Sequence, residues 1–324
     1  MMQHGLPLNF IVSFCREAIP NQGEDSYCYS FCDTAGILGV FDGCGGAGAR
    51  KHEMYSGKTE AYIASRLCAG AFYDSFRVSF PCKLTPQQVS EDLFFADVLK
   101  TLNTYKPMDD GSGFKIMGSM VRTLPTTAAV AMIQQADNED LLVSAIWAGD
   151  SRVFLADARG FAQLTMDDTS VPDPMDNIYE DGVLRNIFCS DRKVKLHCQT
   201  IRVKPPFMVL SATDGCFGYV STPMEFEGML LGTLLASESP AEWEVKLADR
   251  IGAVAGDDHT LCLAAFGYSS FAALKESVSK RYAHILEKYL KPVCELPIED
   301  RQSRYALWNE YQADYMRYIK DGPV

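Results

Sequence analysis

Between residues 127 and 165, four apolar segments follow one another with connections too short to hold a helix. The segments are TAAVAMI (127–133), LLVSAIWA (141–148), RVFLA (152–156) and FAQLT (161–165), joined by QQADNED, GDS and DARG. A parallel crossover needs about a dozen residues or more, so neighbouring strands here must pair antiparallel. The same kind of segment recurs on either side. FIVSF (10–14), DSYCYSFC (25–32), GILGVF (36–41), FMVLSAT (207–213) and LCLAAF (261–266) all read as strands.

Helical patterns surround these strands. One runs from the Gly-rich loop after residue 43 to about residue 75, and another passes through 240–251. Thr85-Pro86-Gln87-Gln88 resembles a capping box opening a helix through LFFADVLKTL. Beyond residue 268 the strand signal fades. Leu274, Val278, Ile285 and Tyr289 recur at helical spacing, as do Trp308, Tyr311, Tyr315 and Ile319, with Pro292 and Pro297 between the two sets. The expected class is α+β: antiparallel sheets with helices packed outside and a helical C-terminal extension. The aromatic last helix has two readings, packing on the core or forming an interface with a partner or a second copy.

A formal net charge of −12 opposes binding to nucleic acid and to acidic membrane surfaces. No run of about 18 apolar residues suggests a membrane span, and the N-terminal segment lacks the pattern of a signal peptide. Eleven cysteines lie scattered, mostly in apolar runs, without a CxxC pair or zinc spacing. Reduced thiols in a cytoplasmic protein are expected.

The chemistry gathers on five aspartates. Asp25 opens a strand, Asp42 closes one, Asp150 sits between two, Asp214 closes another and Asp257 opens the last. Any single Asp-Gly after a strand reads as a turn. Five acids at strand ends converge if the strands share an edge, and such a cluster repels itself unless cations occupy it. Oxygen-only ligands select a hard ion, Mg²⁺ or Mn²⁺. Two such ions can bridge a water, lower its pKa and turn it on phosphorus.

Seven segments, in order, resemble the motifs of the metal-dependent protein phosphatases of type 2C, the PPM family. Gly23-Glu24-Asp25-Ser26 is similar to the NEDS element, and Val40-Phe41-Asp42-Gly43-Cys44-Gly45-Gly46 to VxDGxGG. Thr126-Thr127-Ala128 fits the GTTA-type strand start, Ala148-Gly149-Asp150-Ser151-Arg152 fits VGDSR, and residues 164–170 fit LTxDHS. Ala212-Thr213-Asp214-Gly215 and Gly256-Asp257-Asp258-His259-Thr260 resemble the SDG and GxDNxT elements.

The resemblance covers residues 10–267. It implies a catalytic domain over 1–267, built as an α-β-β-α sandwich, and a helical extension over 268–324. It implies a protein serine/threonine phosphatase that works through a hydroxide bridging two Mg²⁺ or Mn²⁺ ions, with a phosphoprotein as substrate. By it Asp42 would bridge the ions, Gly43 would lend a carbonyl, and Asp214 and Asp257 would complete one ion. Asp25 would act mainly through bound water. Asp150, with Asp214, would form a weaker third site, and residues 166–190 would be a flap beside the cleft.

Pro20 stands where the family places its phosphate-binding arginine, which leaves Arg16 as the nearest candidate. Cys44 occupies a position where many members carry histidine, Asp258 replaces an asparagine, and Asp168 replaces a histidine. The rival reading is a catalytically weak pseudophosphatase that binds phosphoproteins or serves as a scaffold. Gly43 to Gly48 also matches GxGxxG, but a dinucleotide site would need a following parallel strand. His52, His197 and His284 read as surface or boundary residues, and His259 as alternating away from Asp257.

Overall fold

In the computed structural model the described residues are 5–79, 96, 100, 122–136, 139–180, 182–190, 192–297 and 299–319. The expected capping box at Thr85 lies outside them, as does most of the helix expected through LFFADVLKTL.

Two five-stranded antiparallel sheets carry the molecule. The strands are β1 (Leu8–Arg16), β2 (Ser26–Phe31), β3 (Ala35–Phe41), β4 (Lys51–His52), β5 (Lys58–Thr59), β6 (Ala128–Gln135), β7 (Leu141–Ala148), β8 (Arg152–Asp157), β9 (Gly160–Gln163), β10 (His197–Val203), β11 (Phe207–Ala212) and β12 (His259–Phe266). The first sheet runs β1-β12-β11-β8-β9 and the second β10-β7-β6-β3-β2, with β4 and β5 a small separate hairpin. β3 is flanked by β2 and β6, both antiparallel, so the Gly-rich segment after it does not open a dinucleotide-binding βαβ unit.

The helices are α1 (Glu60–Ser79), α2 (Asp176–Tyr179), α3 (Pro223–Leu235), α4 (Pro240–Gly252), α5 (Phe271–Ile285), α6 (Lys291–Glu295) and α7 (Arg301–Tyr315). A π-helical segment, Leu286–Leu290, joins α5 to α6.

Period-two alternation explains the layering. In β3, Ile37 and Phe41 face α1, while Leu38 and Val40 face the other sheet. In β12, Leu261, Leu263 and Ala265 meet the outer helices, while Cys262, Ala264 and Phe266 fill the space between the sheets. Both faces of β3 and of β12 are buried, so each is apolar over most of its length. The outer face of the first sheet is covered by α3, α4, α5 and α7, whose Trp243, Leu274, Trp308, Tyr311 and Tyr315 belong to one core. The C-terminal aromatic helix therefore packs on the sheet.

Pro292 departs from expectation. It sits in the first turn of α6 instead of separating helices, directly after the π segment, where the regular i→i−4 ladder is already interrupted. β10, a half-exposed edge strand, was not anticipated either. Among the described residues no helix is long and apolar enough to cross a membrane.

Candidate active site

The strand registers bring the five aspartates to one end of the sandwich. Asp25 and Asp42 lie beside the paired ends of β2 and β3, where Ser26 faces Phe41. Ala148, two residues before Asp150, pairs with Ala128 at the start of β6. In the other sheet Ala212 faces both Arg152 and Leu261, which places Asp150, Asp214 and Asp257 at matching strand ends.

Local hydrogen bonds lock the turns together. The Asp42 carbonyl accepts from the Thr127 amide and the Thr126 hydroxyl, both at 2.8 Å. The Thr127 and Ser151 hydroxyls meet at 2.7 Å, tying the Asp42 turn to the Asp150 turn. The Thr213 hydroxyl donates to Asp25 Oδ2 at 2.9 Å and accepts from the Thr260 amide at 2.9 Å, which fastens one sheet to the other. Gly43 and Gly215 are required by close approach. A Cβ at Gly43 would stand 2.6 Å from the Ala61 carbonyl oxygen, and one at Gly215 would stand 1.9 Å from that of Asp258. These Asp-Gly pairs thus do more than close turns.

Mutual repulsion and burial dominate the electrostatics. Asp25 is 3% exposed, and burial, reinforced by Asp214 and Asp258, pushes its pKa up to about 8. Asp42 and Asp150 lie well above the usual carboxylate range, first through burial and then through their neighbours' charges. Asp214 is also raised, by burial and by Asp257, and shares a hydrogen bond with Asp42.

The nearby cation, Arg152, is already engaged. It donates to Asp167 through Nε at 2.9 Å and Nη2 at 2.6 Å, lies 4.2 Å above the Phe217 ring and reaches the Tyr315 hydroxyl at 3.3 Å. Asp150 Oδ1 is buried with no hydrogen-bond partner. Among the described residues no three His, Cys, Asp or Glu side chains already stand as a closed ligand set. The donor chemistry, oxygen only and uncompensated in charge, nevertheless fits a hard divalent cation.

The remaining sequence candidates fall around this cluster. Arg16 is exposed at the end of β1, paired in register with His259, whose ring feels its charge. Cys44 is half-buried, with Sγ 3.9 Å from the Asp42 carbonyl. Burial and the charges of Asp42, Asp150 and Asp214 push its thiol up, so it keeps its proton. His259 is buried with Nδ1 3.3 Å from the Asp257 carbonyl, and its Nε2 has no partner.

His52 corrects the surface reading, being buried against Glu60 at 3.0 Å. His197 stacks on Trp147 with ring centroids 5.0 Å apart and meets Asp168 at 2.9 Å.

Sequence reasoning missed the work of three acids. Asp258 accepts from the Ala18 and Glu24 amides at 2.8 and 2.6 Å, pinning the segment that carries Asp25. Asp168 accepts from the Gly149 amide at 3.1 Å and so holds the Asp150 turn. Asp167 holds Arg152. Their sequence signal was a polar residue at a motif position, which does not reveal its partner. Beside the acids opens a pocket of about 360 Å³, lined on one side by Asp150, Arg152 and Asp214 and on the other by Pro174, Ile178 and Tyr179.

This architecture, two antiparallel sheets with flanking helices and an acidic end, is the fold of the PPM-type serine/threonine phosphatases. Among solved structures, the serine/threonine phosphatase Stp1 from Staphylococcus aureus superposes with a TM-score of 0.57 at 16% identity, covering 82% of this chain and 98% of that one. The Mycobacterium tuberculosis serine/threonine phosphatase PstP/Ppp gives 0.54 at 16%, covering 80% and 99%. The catalytic domain of PstP in complex with two manganese ions gives 0.51 at 16%, covering 79% and 97%. No protein-family model matches the sequence. No characterised protein matches it in sequence either.

Proposed function

We propose that this chain is a PPM-family phosphatase, a metal-dependent hydrolase of phosphomonoesters whose substrate is phosphoserine or phosphothreonine in proteins. The observation that carries the reading is the convergence of five carboxylates at one end of this fold, Asp25 buried, Asp42, Asp150 and Asp214 half-buried and Asp257 exposed, with Asp150 Oδ1 left without a hydrogen-bond partner. Asp42, Asp214, Asp257 and the Gly43 carbonyl would hold two Mg²⁺ or Mn²⁺ ions, with Asp25 beside them and Asp150 with Asp214 at a weaker third position. Bound there, the ions would supply Lewis-acid polarisation of the phosphate and a lowered pKa for the attacking water.

The chain's own residues orient and exclude. Thr126, Thr127 and Ser151 fix the Asp42 and Asp150 turns, and Thr213 fixes Asp25. Arg152, neutralised by Asp167, moderates the repulsion on Asp150 and Asp214 without competing for their ligand oxygens. Arg16, exposed at the end of β1 beside His259, is the residue we assign to capturing phosphate in place of the family's arginine. The manganese-bound solved catalytic domain and the phosphatases that share this fold support the reading by similarity.

A binding-only role is favoured by one observation, the absence of a ready-made ligand set among the described residues. Titrating Mn²⁺ or Mg²⁺ into metal-stripped protein with a chromogenic aryl phosphate separates the two. Metal-dependent turnover that EDTA stops is expected. Turnover that survives exhaustive chelation would sink the two-ion reading, and no turnover at any metal concentration would favour binding alone.

A further inference from the structure

The last helix carries two stripes. Arg304, Trp308, Tyr311 and Tyr315, at helical spacing, are buried against the first sheet. A second stripe, Arg301, Tyr305 and Gln312, turns toward the segment between β9 and β10 that was expected to act as a flap. Arg301 lies 4.6 Å above the Tyr179 ring. Tyr305 stacks on Tyr179 at 6.1 Å and donates its hydroxyl to Asp176 Oδ1 at 2.5 Å. Gln312 donates to Asp173 Oδ2 at 3.1 Å. Asp173 in turn organises α2, since its Oδ1 accepts from the Met175 and Asp176 amides at 2.8 and 3.2 Å.

These contacts lie behind one wall of the pocket beside the acids. Tyr179 faces both ways, lining that pocket and stacking on Tyr305. The wall is also tied from its inner side, where Asn177 donates to Asp167 at 3.1 Å, the carboxylate that holds Arg152. Tyr315 closes the circuit by touching Arg152 itself. A helix needed only for core packing would require the first stripe and not the second.

We propose that α7 is a positioning element for substrate: by gripping Asp173, Asp176 and Tyr179 it fixes the wall against which the protein segment flanking the phosphorylated residue lies. This rests on the phosphatase reading of the acidic site. A small aryl phosphate reaches the acids without touching that wall, whereas a phosphopeptide extends across it. Tyr305 and Gln312 are therefore positioning residues that act through α2 and belong neither to the acid cluster nor to the pocket lining.

The test is the full-length double variant Tyr305→Phe with Gln312→Ala, which leaves the core stripe untouched. Two measurements are made on it and on the parent: amide hydrogen exchange across residues 171–180, and Mn²⁺-supported kinetics on an aryl phosphate and on a phosphoserine peptide. Exchange at Met175 and Asp176 should quicken. KM for the peptide should rise about tenfold for two lost hydrogen bonds, with kcat and the aryl phosphate constants held within about twofold. Unchanged exchange would overturn the grip, and equal losses on both substrates would overturn its role in placing the peptide. A parent protein inert on both substrates would defeat the phosphatase reading and the substrate role with it, while the exchange comparison still judges the grip of α7 on α2.

Discussion

Burial first, and then the charges of Asp25, Asp214, Asp150 and Asp257, hold Asp42 well above the usual carboxylate range. Removing one charge from such a group relieves repulsion in the metal-free protein but removes a ligand. Asp42→Asn and Asp214→Asn should each abolish metal-dependent turnover while the metal-free melting temperature holds or rises. Full activity in Asp42→Asn would contradict its bridging role. Cys44 tells a different story. Its thiol keeps a proton, yet a thiol is a weak hydrogen-bond donor, and close cations would draw that proton away. Cys44→Ser should hold activity on an aryl phosphate within a few-fold, each tenfold loss standing for about 1.4 kcal/mol of barrier. Cys44→His should help selectively on phosphoserine peptides, whose alkoxide leaving group most needs a proton. A Cys44→Ser protein that binds metal but is dead on both substrates would show that the thiol is catalytic.

At the scale of elements, what the sequence announced and what it hid have one physical cause. β3 and β12 are buried on both faces, so β3 and residues 261–266 of β12 are apolar without interruption and stand out against polar turns. Among the described residues β10 pairs only with β7, and it exposes Cys198 and Arg202, so HCQTIRV resembles a loop until its partner is known. The acids were legible as strand-end residues because period and turn chemistry are local. The hydrogen bonds from Asp258 to residues 18 and 24 span some 240 positions, and no local pattern encodes them. α7 was legible as an amphipathic helix, but its second stripe was not, since tyrosine and glutamine serve equally well in water. The core stripe supplies a test. Trp308 is fully buried, and Trp308→Ala should cost about 3–5 kcal/mol, read as a lowered denaturation midpoint with a large loss of soluble protein. A loss below about 1 kcal/mol would mean that α7 is peripheral to the core.

Across the whole molecule, the acid cluster makes stability depend on pH. Asp25 titrates near about 8 in the fold, against a usual value near 3.8, and Asp42, Asp150 and Asp214 shift the same way. The folded state therefore holds these protons longer than the unfolded chain does. The stability they lend is complete below the ordinary carboxylate range and drains away as pH rises toward about 8. Metal-free protein should melt at lower temperature at about pH 8 than at about pH 5.5, and Mn²⁺ should raise the midpoint more at the higher pH. A metal-free midpoint that is flat across this range would mean the acids do not share one field. The placement of α7 also has a temporal side. Every candidate ligand, from Asp25 to Asp257, precedes Tyr315, the residue that caps Arg152. During synthesis the acids leave the ribosome before the helix that covers the arginine beside them. A growing chain can thus pair its sheets before α7 docks, and the acidic end gains the contact between Arg152 and Tyr315 last.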